Sequence, residues 1–246
     1  MRITQAPASP SISSGAPFSV LPLEPVWLDA LAQLGHGAMT PLQAAILPLA
    51  LAGHDLIVQI RQGGGSATAL TIALLHRLDP CRFDVQTLVL CPTRERAEHI
   101  ARRIREIAEC AGYIKVATLC HGTPLRPQID SLIHGAHIVV GTPGRVLDHI
   151  DAASLDLRAI NTLMFDRADT MLDMGLVDDI AFVASRCPKA RQTLLLHGSD
   201  DVDLPPDIAR LARFWLRRPR NVRLLAADDW SAGRQRAHSD MSSKDS

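Results

Sequence analysis

The chain has 246 residues, 47% hydrophobic and 21% charged, enough for one large core or two small ones, of which one is the simpler reading. Lys plus Arg and Asp plus Glu each total 26, which excludes an overall basic field and leaves any nucleic-acid contact to a local patch. Five cysteines without a C-x-x-C pair exclude a zinc signature and fit a reducing cytoplasm, and the longest apolar stretch, 44–52, holds Pro48 and is too short to span a bilayer, so no membrane partner is expected.

Residues 1–17, rich in Ser, Pro and Ala, read as a disordered leader; 18–225 read as one domain, and 226–246 as a disordered tail. The first buried strand is Asp55 to Gln59. It runs into Gly63, Gly64 and Gly65 and then a helix start at Ser66 and Ala67, the layout of a loop whose backbone N–H groups converge on an anion. Read alone, the same glycines serve equally as a tight connection. Further β-branched runs follow at 87–90, 116–119, 137–140, 162–165 and 193–196, none broken by a charge, as expected of parallel strands buried on both faces. Helical periods separate them, clearest over 94–109, where Ala97, Ile100, Ile104 and Ile107 or Ala108 share a face. A helix over 203–216 and a strand over 221–225 close the pattern. The alternation predicts an α/β fold, a doubly wound parallel β-sheet flanked by helices, with ligands at the carboxyl ends of its strands.

The loops at those ends carry the chemistry. Pro92-Thr93-Arg94-Glu95 follows the second strand, Thr142-Pro143-Gly144-Arg145 the fourth and Asp166-Arg167-Ala168-Asp169 the fifth. Singly, each reads as a helix cap. As a set, with Gly35 to Gln43 upstream, 91–96, 141–148, 171–175 and 191–195, they resemble the first RecA-like domain of DEAD-box RNA helicases over about 18–225. The resemblance implies a RecA-like P-loop NTPase domain that binds ATP or ADP and RNA. It implies that Gln43 reads adenine, Phe18 stacks on the base, Thr40 assists, and the backbone from Gly63 through Gly64, Gly65 and Ser66 to Ala67 faces the phosphates. It further implies that Pro92, Thr93, Arg94, Gly122, Thr142, Gly144 and Arg145 hold the RNA backbone without reading sequence.

Several positions depart from the family pattern. A-x-T-G-S-G-K-T becomes Ile60 to Ala67, with Ser66 for Lys and Ala67 for Thr; D-E-A-D becomes Asp166-Arg-Ala-Asp169; S-A-T becomes His197-Gly-Ser199; His121 replaces a glycine. Loss of the lysine removes charge-assisted bonds of roughly 1.5–3 kcal/mol each. Loss of the DEAD glutamate removes a general base worth about 10²–10⁴-fold. Of the catalytic set only Asp166 remains, and Mg²⁺ is not expected to bind. The expectation is weak nucleotide and RNA-backbone binding without autonomous ATPase or helicase activity. Two alternatives stay open: a slow ATPase or one half of a split helicase working with a separate second RecA-like domain, and a protein-interaction module with decayed ligand sites.

Overall fold

The computed structural model describes residues 13–60, 66–198 and 204–223. The expected tail, most of the leader, Gly63, Gly64, Gly65 and Ser199 lie outside the described residues, as does the side chain of Ser66. Ahead of Phe18 the chain is already tied in: Gly15 N–H donates to the Met39 carbonyl, and Met39 N–H to the Ala16 carbonyl, both at 2.9 Å.

Among the described residues sixteen regular elements occur, and from β1 onward helices separate the strands as the sequence predicts. They are α1 Pro25–Gln33, α2 Pro41–Leu51, β1 Leu56–Gln59, α3 Ser66–His76, β2 Thr87–Leu90, α4 Arg94–Ala108, β3 Val116–Leu119, α5 Leu125–Ile133, β4 Ile138–Gly141, α6 Pro143–Asp151, β5 Thr162–Phe165, α7 Ala168–Asp173, α8 Val177–Arg186, β6 Gln192–His197, α9 Pro206–Trp215 and β7 Arg220–Arg223. The seven strands form one sheet in the order β3-β4-β2-β5-β6-β1-β7, and every described pairing is parallel. No helix of the described residues is long and apolar enough to cross a membrane.

Alternate residues of each strand enter opposite cores. Leu56, Val58, Val89, Ile138, Val140, Met164, Leu194 and Leu196 face one cluster, with Leu31, Leu47, Leu74 and Ile104 from the helices. Ile57, Leu88, Leu90, Val139, Leu163, Phe165 and Leu195 face the other, with Val146, Met171, Ile180 and Leu211. Side chains alternate across a strand, so uncharged runs are what a sheet covered on both faces demands. Each fully buried Leu or Ile contributes about 1.5–3 kcal/mol, which makes a charge inside these short buried strands intolerable. The edge strand β7 differs, carrying Arg220 and Arg223 where only one side is paired.

The helix predicted over 94–109 starts as expected and ends one residue early, passing into a 3₁₀ turn at Glu109–Ala111. Its buried positions are Ala97, Ile100, Ala101, Ile104, Ile107 and Ala108. Thr93 caps it, its Oγ1 accepting from Arg96 N–H at 3.3 Å. Asp55 locks the far end of the sheet. Its buried carboxylate accepts from Thr193 N–H on β6 at 2.9 Å and from Arg217 N–H ahead of β7 at 2.6 Å.

Candidate functional site

Four of the strands, β1, β2, β4 and β5, are each extended by one further backbone bond that fixes the first residue of the carboxyl loop. Cys91 N–H donates to Gly141, Thr142 N–H to Leu119, Asp166 N–H to Leu90 and Ile60 N–H to His197, at 2.9–3.0 Å. These bonds bring Cys91, Thr142, Asp166 and Ile60 onto one rim, where a parallel sheet places its ligands. Five buried polar atoms on that rim have no hydrogen-bond partner: Thr142 Oγ1, Arg145 Nε, Arg167 Nε, Asp169 Oδ1 and His197 Nδ1. Five more such atoms, on Arg77, Thr87, Arg191, Gln192 and Thr193, lie toward the amino ends of the strands, so the rim is singled out by the residues of its loops and not by unpaired atoms. A cleft of about 450 Å³ lined by Phe83, Val85, Leu132, Ala136 and Leu155 sits instead at the amino ends of β2, β4 and β5, and brings together none of the expected site residues.

At the nucleotide end, Thr40 and Gln43 form a capping box on α2. The Thr40 Oγ1 accepts from Gln43 N–H at 3.3 Å, and Gln43 Oε1 accepts from Thr40 N–H at 2.8 Å. Pro41 sits at the first helical position, where its missing N–H costs nothing. Gln43 is therefore a buried cap, and reading adenine would have to be done alongside that bond. Phe18 is 3% exposed and packs with the core around Leu21, Trp27 and Leu31, so its ring presents no open face for stacking in this conformation. Ala67 lies on the first turn of α3. Thr68 beyond it is buried and turned to α4, its hydroxyl accepting from Arg103 Nη2 at 3.3 Å. The neighbouring hydroxyl thus does not stand in for the one missing at 67.

At the end of β5 the Asp166 carboxylate is 1% exposed and is held by the guanidinium of Arg96, on the first turn of α4. Arg96 Nη2 donates to Oδ1 at 2.8 Å while Nε donates to Oδ2. This two-pronged pair spans 70 positions of sequence. Arg96 stands where the family segment P-T-R-E-L has leucine, and that single exchange beside a retained Asp166 is the signal that would have found it. The pair also bears on the buried Cys91 thiol. Burial pushes that thiol well above its ordinary pKa, the Asp166 carboxylate adding to the rise and Arg96 opposing it.

Arg167 adopts left-handed backbone geometry, φ 57° and ψ 55°, at the start of α7. That region disfavours residues with a Cβ, so the turn out of β5 is held by its surroundings. The Arg167 Nη2 lies 3.4 Å from Asp169 Oδ2. A Cβ placed on Gly198 would come within 3.4 Å of both the Arg167 guanidinium and Asp169. The guanidinium therefore lies over the end of β6, next to β1, whose chain leads into the glycine turn. His197, in the same cluster, has its pKa lowered, first by burial; Asp169 opposes the shift and Arg223 adds to it.

The residues expected to meet RNA occupy adjacent loops. Pro92 is buried, Thr93 caps α4 and Thr142 precedes α6, with Pro143 in its first turn. Gly122 has φ +88°, and a Cβ there would meet the Arg94 guanidinium, so the two loops touch. Arg94 is exposed and donates to Glu98 at 2.7 Å. Arg145 departs from the picture of an open phosphate ligand. Its side chain is 10% exposed, and Nε lies 3.2 Å from Asp148 Oδ2, within ion-pair reach but not aligned for a hydrogen bond. His121 reaches the same carboxylate at 3.4 Å, with its ring against Gly144. His121 and Asp148 thus belong to this face, and only tertiary packing reveals it.

Residues 40–197 match the DEAD/DEAH box helicase family. The chain is 48% identical over 178 residues to the ATP-dependent RNA helicase DbpA of Escherichia coli (strain K12), covering 72% of this chain and 38% of that protein. It is 34% identical to the ATP-dependent RNA helicase CshA of Listeria monocytogenes, over 86% of this chain and 40% of the relative. The crystal structure of a DEAD box protein from the hyperthermophile Methanococcus jannaschii aligns with a TM-score of 0.79 and 30% identity, over 86% of this chain and 56% of that one. A hypothetical ATP-dependent RNA helicase from Sulfolobus tokodaii aligns at 0.72 and 28%, over 82% and 57%. The chain spans about two fifths or less of the length of these curated relatives.

Proposed function

Because the chain belongs to the DEAD/DEAH box helicase family and matches its first RecA-like domain, we propose that it binds nucleotide weakly and RNA along the backbone, and does not turn ATP over by itself. Arg167 carries this reading. It occupies the position of the glutamate that the resemblance casts as the base acting on water, and it brings a positive charge to the end of β5. A guanidinium cannot accept a proton at neutral pH, so the general-base contribution of about 10²–10⁴-fold has no source at that position. Ser66 in place of lysine and Ala67 in place of a hydroxyl act in the same direction, and effects of groups that work together need not multiply.

RNA binding draws support from the helix N-termini of α4 and α6, which point their first turns at one rim with Thr93 and Thr142 beside them. Such termini favour anions through free N–H groups and the helix dipole, and they carry no base-reading information. The test is phosphate release by the purified chain with and without single-stranded RNA, against Asp166→Ala and against the triple revertant Ser66→Lys, Ala67→Thr, Arg167→Glu. The native chain is expected to match Asp166→Ala. Sustained RNA-stimulated release above that control overturns the proposal.

A further inference from the structure

We infer that Arg96 is a built-in replacement for a divalent cation, so that this site receives nucleotide phosphate without metal. The inference rests on the proposed nucleotide binding and concerns the cation dependence of the same site. In the family, Mg²⁺ is implied beside the first aspartate of D-E-A-D. Here the residues do not fit one. Asp166 gives both carboxylate oxygens to Arg96 from a position 1% exposed. Mg²⁺ demands oxygen ligands in near-octahedral array, directly or through its waters, and would have to displace a bidentate guanidinium and then stand beside it. Ala67 offers no hydroxyl, Arg167 adds a second fixed cation one residue on, paired with Asp169, and no group of three or more His, Cys, Asp or Glu among the described residues could hold a metal.

The charge balance points the same way. In the family pattern the loop lysine and the DEAD glutamate cancel, so that site depends on Mg²⁺ for its two positive charges. In this chain Ser66 contributes none, while Arg96 and Arg167 contribute one each. The same two charges are permanent parts of the polypeptide. A carboxylate as deep as Asp166 requires such a partner whether or not nucleotide is present, since an unpaired buried charge is far costlier than a paired one.

Two measurements test this on the full chain. The first is binding of fluorescent ADP in EDTA and in excess Mg²⁺; the two affinities are expected to agree within about twofold, and a gain of about tenfold or more with Mg²⁺ overturns the inference. The second is Mn²⁺ titration followed by electron paramagnetic resonance, with and without ADP. The native chain is expected to bind no Mn²⁺ at either condition, and stoichiometric Mn²⁺ binding overturns the inference. If ADP fails to bind in both buffers, the proposed nucleotide binding is what falls, and the Mn²⁺ titration still decides the assignment of Asp166 to Arg96. Arg96→Leu, checked for folding by circular dichroism, is expected to lose about tenfold in ADP affinity in EDTA, the equivalent of one charge-assisted contact. Should that variant fail to fold, Arg96→Lys keeps the charge without the fork and is expected to stay indifferent to Mg²⁺. A strong Mg²⁺ dependence in Arg96→Lys with native-like EDTA affinity would argue against the charge account.

Discussion

Replacing Arg96 by leucine restores the residue type of the family segment and strips the counter-charge from a carboxylate that is 1% exposed. Breaking a buried pair from one side costs about 3–5 kcal/mol, and because the Arg96 side chain is 36% exposed the lower end, about 3 kcal/mol, is expected. In a domain of this size that is a fall in melting temperature of about 6–12 °C. Asp166→Leu alone should cost less, about 1–2 kcal/mol, since the half-exposed guanidinium can turn to water. The double variant, in which apolar groups replace both partners, should lie within about 1 kcal/mol of the native chain, giving a coupling of about 3 kcal/mol or more. Urea unfolding followed by far-ultraviolet circular dichroism measures all four corners of the cycle. Repeating it at high salt should leave the coupling largely intact, because a buried pair is poorly screened. Additive single effects, or an Arg96→Leu cost below about 0.5 kcal/mol, would refute the claim that the two side chains hold one another.

The same unfolding assay reads the lock at the other end of the sheet. Asp55→Ala removes the acceptor for buried Thr193 N–H and for Arg217 N–H and should cost about 3 kcal/mol, with Asp55→Asn recovering part; an effect under about 1 kcal/mol would show that β7 does not depend on it. His36, His76, His149 and His197 all have pKa values lowered from 6.5, in each case first by burial. Between those lowered values and 6.5 the unfolded chain takes up protons that the folded chain refuses. Stability should therefore be level above about pH 7 and decline as pH falls through 6.5, flattening once the folded histidines also titrate, and a urea midpoint that rises on acidification contradicts this. On the RNA side, Arg94→Ala should weaken two unrelated single strands equally and lower the salt slope of binding by about 1; a loss confined to one sequence would mean that Arg94 reads bases.

The alternation of charge-free runs with amphipathic helices was enough to specify the sheet, because period 2 and period 3.6 are written in neighbouring residues. The structure departs from those readings at ends: β4 runs from Ile138 to Gly141, β6 gains Gln192 and His197, α9 spans Pro206–Trp215, and β7 is Arg220–Arg223 and not 221–225. The losses at 66, 67 and 167 were equally plain, since they are residue identities at fixed offsets in known motifs. What no local pattern contained was the pairing of charges. Arg96 shows in sequence only as an exchange for the family's leucine, with no partner named, whereas α4 leaves β2 immediately beside β5, and that adjacency aims its guanidinium at Asp166. Gln43 and Arg145 repeat the lesson, one spent partly on capping α2 and the other drawn inward against Asp148. Secondary structure is decided among residues within a few positions of each other, whereas a charge finds its partner only after the crossovers have chosen which strand ends stand side by side.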